Sequence, residues 1–162
     1  MNYRVLIFLF LLIFVGSKTV FARETAIVTI LPHKPVVVAR GETVHLPVRA
    51  RIKKGFHVQA NPASDEFLIA TTLTIQAGEY LAPGKPVYPA GVPYRLEVST
   101  EDLLTYEDEM TIVLPVKVLE SASPGMVNIT GKLRFQGCDD IKCLYPSSIP
   151  VVIPIEIVDV PK

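Results

Sequence analysis

Hydrophobic and polar residues alternate with period two along most of this chain. The pattern is plainest from Thr43 to Ile52, where Val44, Leu46, Val48, Ala50 and Ile52 alternate with His45, Pro47, Arg49 and Arg51. Successive side chains of a strand point to opposite faces, so this segment predicts a strand with one face buried. The same spacing predicts strands over Val127 to Gln136, Ile112 to Val118 and Ile149 to Ile157. Shorter candidates are Thr25 to Leu31, Val36 to Ala39, Phe56 to Ala60, Phe67 to Ile75 and a weaker Pro93 to Val98. Between them lie "ARGET", "KKG", "NPASD", "QAGEY", "PAGVP" and "ASPG", which place Gly, Pro, Asn or Asp where a chain reverses. No stretch has helical periodicity. About eight or nine short strands and 14 prolines predict an all-β fold, an antiparallel β-sandwich of immunoglobulin-like type.

The amino terminus breaks this pattern. Met1 to Arg4 forms a short positive region, and Val5 to Val15 is an unbroken apolar run. That run is shorter than the ~20 residues a spanning helix needs. Val20-Phe21-Ala22 then offers small residues at the first and third places of a cleavage site. Residues 1–22 therefore read as a cleaved secretory signal and residues 23–162 as one exported domain. The signal carries two of the 16 basic residues, Arg4 and Lys18, and none of the 16 acidic ones, which leaves the exported part near a net charge of about −2. That balance argues against nucleic acid or an anionic membrane as a partner.

Candidate chemistry concentrates in "LRFQGCDDIKCLYP", which holds the only two cysteines, Cys138 and Cys143. They stand at the feet of a short connection between two predicted strands, where facing Cα atoms come close enough for a disulfide. Alternation continued from Phe135 puts Cys138 outward, and the parity of Ile149 to Ile157 extended backward puts Cys143 inward. Gly137 is a candidate bulge that breaks the register. A bridge closing so short a loop stabilises a fold by only ~2 kcal/mol, so it suits exchange as well as it suits structure. Asp139 and Asp140 disfavour a thiolate at Cys138, and Lys142 favours one at Cys143.

A metal centre is the weaker expectation. Two thiolates do not complete a tetrahedral zinc site, and His33, His45 and His57 are scattered along the chain. His45 and His57 read as ordinary surface or half-buried histidines rather than ligands. No cofactor is expected, and no Ser, His and acid fall in an arrangement that suggests nucleophilic catalysis. A redox disulfide and a structural disulfide in a binding or chaperone-like sandwich both remain open from the residues alone.

The order "KKGFHVQANPASDEFLIATTLTI", "YPAG", "YEDEMTIVLPVKV", "GKLRFQGCDDIKCLYP" and "IPVVIPIEI" resembles the amino-terminal periplasmic domain of the thiol:disulfide interchange protein DsbD. The resemblance implies an immunoglobulin-like domain that relays reducing equivalents between a membrane or thioredoxin-like donor and other periplasmic thiol proteins. It implies that Cys143, the second cysteine, forms the mixed disulfides and that Cys138 resolves them. Four residues separate the two here, one fewer than in the best-known members. Full-length members continue into a membrane region and a thioredoxin-like domain, so the expectation is a stand-alone version or a donor that is another protein. Members also shield the cysteines with a cap loop; here "EVSTEDLLTYEDE" stands in that region, with Leu103, Leu104 and Tyr106 as candidate covering or partner-docking groups.

Overall fold

The computed structural model describes residues 26–76, 78–95 and 101–159, and no helix occurs among them. These residues form β1 (Val28–Ile30), β2 (Val36–Ala39), β3 (Thr43–Ile52), β4 (His57–Gln59), β5 (Thr72–Gln76), β6 (Leu81–Pro83), β7 (Val92–Tyr94), β8 (Leu103–Tyr106), β9 (Glu109–Val118), β10 (Gly125–Phe135), β11 (Gly137–Cys138) and β12 (Ser147–Val158). The expected secretory signal lies outside the described residues.

Two four-stranded sheets make an immunoglobulin-like sandwich, one ordered β1-β3-β9-β6 and the other β2-β12-β10-β5. All their pairings are antiparallel except β12 with β2, which run parallel. Alternation dictates the inner faces. Leu46, Val48, Ala50 and Ile52 of β3 lie buried beside Met110, Ile112, Leu114 and Val116 of β9, and the other sheet contributes Ile129, Leu133, Val151, Ile153 and Ile155 to the same cluster. The outward positions of β3, His45, Arg49 and Arg51 among them, are exposed. Burying a Leu or Ile side chain contributes about 1.5–3 kcal/mol, which makes these four long strands the stable body of the molecule.

A third sheet, ordered β11-β4-β8-β7, is built largely from continuations of strands in the other two. The chain passes from β3 to β4 through Gly55, whose φ of 81° favours glycine, and from β8 to β9 through Asp108 at φ 50°, a left-handed conformation that Asp tolerates better than most side chains. β10 hands over to β11 across the single residue Gln136.

Several sequence-based boundaries move, two of them in the region leading to the site. The strand expected over Phe67 to Ile75 begins only at Thr72, because "NPASD" turn chemistry extends further: Asp65 Oδ1 accepts from the Phe67 amide at 2.7 Å, and Asn61 Nδ2 donates to the Thr71 carbonyl at 2.8 Å. The strand expected over Pro93 to Val98 is β7, Val92–Tyr94, and residues 96–98 lie outside the described residues.

Candidate functional site

The handover at Gln136 builds the site. Phe135 is the last residue of β10 and still pairs with Ser147 of β12, whereas Gly137 and Cys138 pair with Val58 and His57 of β4 in the third sheet. Gln136 holds the junction with three bonds. Its carbonyl accepts from the Gln59 amide at 3.3 Å, its Oε1 accepts from the Ile69 amide at 3.0 Å, and its Nε2 donates to the Leu144 carbonyl at 3.2 Å. Gly137 fits where a side chain would press on Ile27, since an added Cβ would lie 3.3 Å from two Ile27 methyl carbons. The change of sheet decides the orientation of Cys138: alternation from Phe135 pointed it outward, and it is fully buried.

Cys138 and Cys143 are joined in a disulfide, with Cα atoms 3.9 Å apart. The loop between them is shaped by Asp139, whose Oδ1 accepts from the amides of Ile141 at 2.9 Å and Lys142 at 2.8 Å, while its own amide donates to the Lys142 carbonyl at 3.0 Å. Those amides hold the Asp139 carboxyl below the usual carboxylate range. Leu144 N to Gly137 O, at 2.8 Å, closes the base of the hairpin.

The two sulfur-bearing residues differ in environment. Cys143 is half-buried and lines an open groove of about 840 Å³ together with Ile27, Val28, Phe135, Lys142 and Tyr145. Tyr145, on the groove, is 93% exposed, and Ile141, in the loop two residues before Cys143, is 75% exposed, so apolar surface lies on both sides of Cys143 along the chain. Cys138 instead faces the protein. Gln59 Nε2 donates to its Sγ at 3.4 Å, and His57, its partner across the β11–β4 pairing, is buried. The reading of His57 as a surface or half-buried residue is thus corrected: β4 has the third sheet's neighbours on both edges and is covered on both faces, all three of its residues being buried.

The His57 ring stacks on Tyr94 of β7 with centroids 3.9 Å apart, and the Tyr94 hydroxyl donates to Asp140 Oδ1 at 2.5 Å. Burial holds the imidazole below its ordinary range, against the opposing pull of the Glu107, Asp140 and Asp139 carboxylates. Neither His57, Gln59 nor Tyr94 stood out as functional in the sequence. The one signal available was the i, i+2 spacing of His57 and Gln59 in "GFHVQA", which places both on one strand face.

The region proposed to cover the cysteines contains a strand. Leu103 to Tyr106 is β8, paired with both β4 and β7, and residues 97–100 lie outside the described residues. Tyr106 turns into the core, where its hydroxyl donates to the Pro89 carbonyl and accepts from the Asn61 amide, both at 3.0 Å. It therefore offers no surface to a partner. Leu103 is half-buried, and Leu104 is 37% exposed. Among the described residues no group of three or more His, Cys, Asp or Glu is placed to hold a metal ion.

The β-sandwich thus carries its disulfide at a hairpin tip, with Cys138 sealed and Cys143 on a groove. The family model described as "Thiol:disulfide interchange protein DsbD, N-terminal" matches residues 28–151, and the chain belongs to that family, whose general activity is thiol–disulfide interchange and whose domain is periplasmic. Among solved structures it is similar to the DsbD N-terminal domain of Neisseria meningitidis in the reduced form, at 19% identity over 66% of this chain and 74% of that one, with a TM-score of 0.42. It is also similar to the seventh ScaB type I cohesin of Pseudobacteroides cellulosolvens, at 12% identity over 83% of this chain and 94% of that one, with a TM-score of 0.50. No curated protein sequence matches it.

Proposed function

We propose that this chain is an exported exchange module that relays reducing equivalents between a membrane or thioredoxin-like donor and other periplasmic thiol proteins through Cys138 and Cys143. The observation that carries this reading is the asymmetry of the two sulfurs, one sealed and one on an open groove. A thiolate displaces a disulfide by approaching one sulfur along the line of the bond, and access decides which sulfur is attacked. The groove gives access to Cys143. Attack there forms the mixed disulfide on Cys143 and releases Cys138, which later returns to free the partner.

Exposed Ile141 and Tyr145 flank the attacked sulfur and suit the apolar surface around the reactive cysteine of a thioredoxin-like partner. The short loop supports the same reading, because the bridge adds little to the fold and is free to open.

Two measurements test it. Equilibration with glutathione or dithiothreitol buffers should give a reduction potential above about −300 mV, the region below which structural bridges of secreted proteins lie. Cys138→Ser should accumulate a mixed disulfide through Cys143 with a thioredoxin-like protein, and Cys143→Ser should not. A potential below that value, together with no trapped species, would make the bridge an inert staple.

A further inference from the structure

The buried side of the disulfide holds polar groups that folding leaves incompletely used. His57 is 2% exposed and its Nε2 has no hydrogen-bond partner; Gln59 is fully buried and its Oε1 has none either. Buried polar atoms are normally paired, because an unmet donor or acceptor loses its hydration without compensation. Register places both residues beside Cys138. Cys138 pairs with His57, and Gln59 lies two residues further along β4, so all three project to one face of the third sheet. Gln59 already reaches the sulfur with its amide.

That face is where charge arrives when the bridge opens. If attack falls on Cys143, as proposed above, the electron pair of the broken S–S bond ends on Cys138 Sγ, away from water. An unpartnered thiolate in such a place is strongly disfavoured, which would slow exchange and push the equilibrium back to the disulfide.

We propose that His57 and Gln59 form the receptacle for this leaving sulfur, Gln59 donating a hydrogen bond to the Cys138 thiolate and His57 binding a proton to pair with it as an imidazolium. The step balances. The partner thiol gives up its proton, its thiolate forms the new bond to Cys143 Sγ, the Cys138–Cys143 bond breaks toward Cys138, and the released proton is taken up at His57. The charged groups around the imidazole favour that proton: Glu107 just beyond β8, Asp139 and Asp140 in the loop after β11, and the new thiolate itself on β11. Tyr94 of β7 stacks on the ring, and its bond to Asp140 ties it to the loop between the cysteines. In the disulfide state, with no thiolate present, burial prevails and keeps the ring neutral.

The proposal rests on the exchange reading but is tested separately from it. Proton linkage is reciprocal, so a thiolate that gains from imidazolium must raise the imidazole's affinity for its proton equally. In the wild-type protein with isotope-labelled histidine, NMR titration should show His57 titrating at least one pH unit higher after reduction with a phosphine than before. The phosphine opens the bridge chemically, so this result does not depend on exchange with any protein.

In a Cys143→Ser background, where Cys138 is the one remaining thiol, ultraviolet absorbance of the thiolate should fall about tenfold at neutral pH on adding His57→Phe, and should fall with Gln59→Leu. Should His57→Phe not fold, the wild-type titration and Gln59→Leu still decide. An imidazole that titrates identically in both redox states, or a thiolate fraction unmoved by these substitutions, would overturn the proposal even if wild-type protein exchanges readily with glutathione. Conversely, the predicted titration in a protein inert to glutathione would keep the receptacle and sink the relay.

Discussion

At the scale of single residues, the loop between the cysteines is held chiefly by Asp139. Its carboxylate collects the amides of Ile141 and Lys142, an Asx turn that points the backbone donors of the tip at one charged oxygen. Asp139→Ala should leave the sandwich folded and abolish the protection of those two amides in hydrogen-exchange NMR at neutral pH. The pH dependence has a definite sign. Because the folded carboxyl is held below its unfolded value, its ordering effect is complete above about pH 4 and is lost as pH falls through the lower, folded value. Protection at Ile141 and Lys142 should therefore fade in acid before that of β10 or β12. Persistence of protection in Asp139→Ala would mean that the bridge alone shapes the tip.

At the scale of elements, the decisive event is the transfer of one strand between sheets. β10 pairs with β12 over eleven residues, then Gln136 releases the chain to β4. The bridge lies beyond that release, so it fastens a loop already closed by Leu144 N to Gly137 O. A loop of this length stabilises by about 2 kcal/mol in the chain-entropy account. Reduction should lower stability in urea melts by about that amount and leave one cooperative transition; a loss of more than ~5 kcal/mol would make the bridge a structural staple.

The same handover explains what could be read from the sequence. β3, β9, β10 and β12 were legible because each keeps one face in one core, so alternation reports burial directly. Cys138 was not legible, because parity counted from Phe135 holds only while the strand stays in its sheet. β8 reads as part of a covering loop because its four residues, between acids, have no long alternation, and pairing on both edges is what makes them a strand. The proximity of Cys138 to Cys143 needed only local spacing. The proximity of His57 and Gln59, some 80 positions upstream, needed the third sheet's register.

At the scale of the whole molecule, the packed core and the sulfur site meet only at the third sheet. The core cluster is apolar, and Leu114 within it is fully buried and in register with Leu46. Cys138 is equally buried but is not part of that cluster, to which its sheet contributes Val58 and Tyr106. Leu114→Ala should therefore cost about 2–5 kcal/mol, the range for a large-to-small change in a packed core, read from urea melts. Sites without direct contact tend to contribute independently. The equilibrium constant for exchange with glutathione should accordingly stay within about twofold of wild type, provided the variant is folded at the temperature of the assay. A tenfold shift would show that core packing sets the sulfur environment through β9 and β8, and the third sheet would then be a lever on the disulfide rather than a platform attached to an indifferent body.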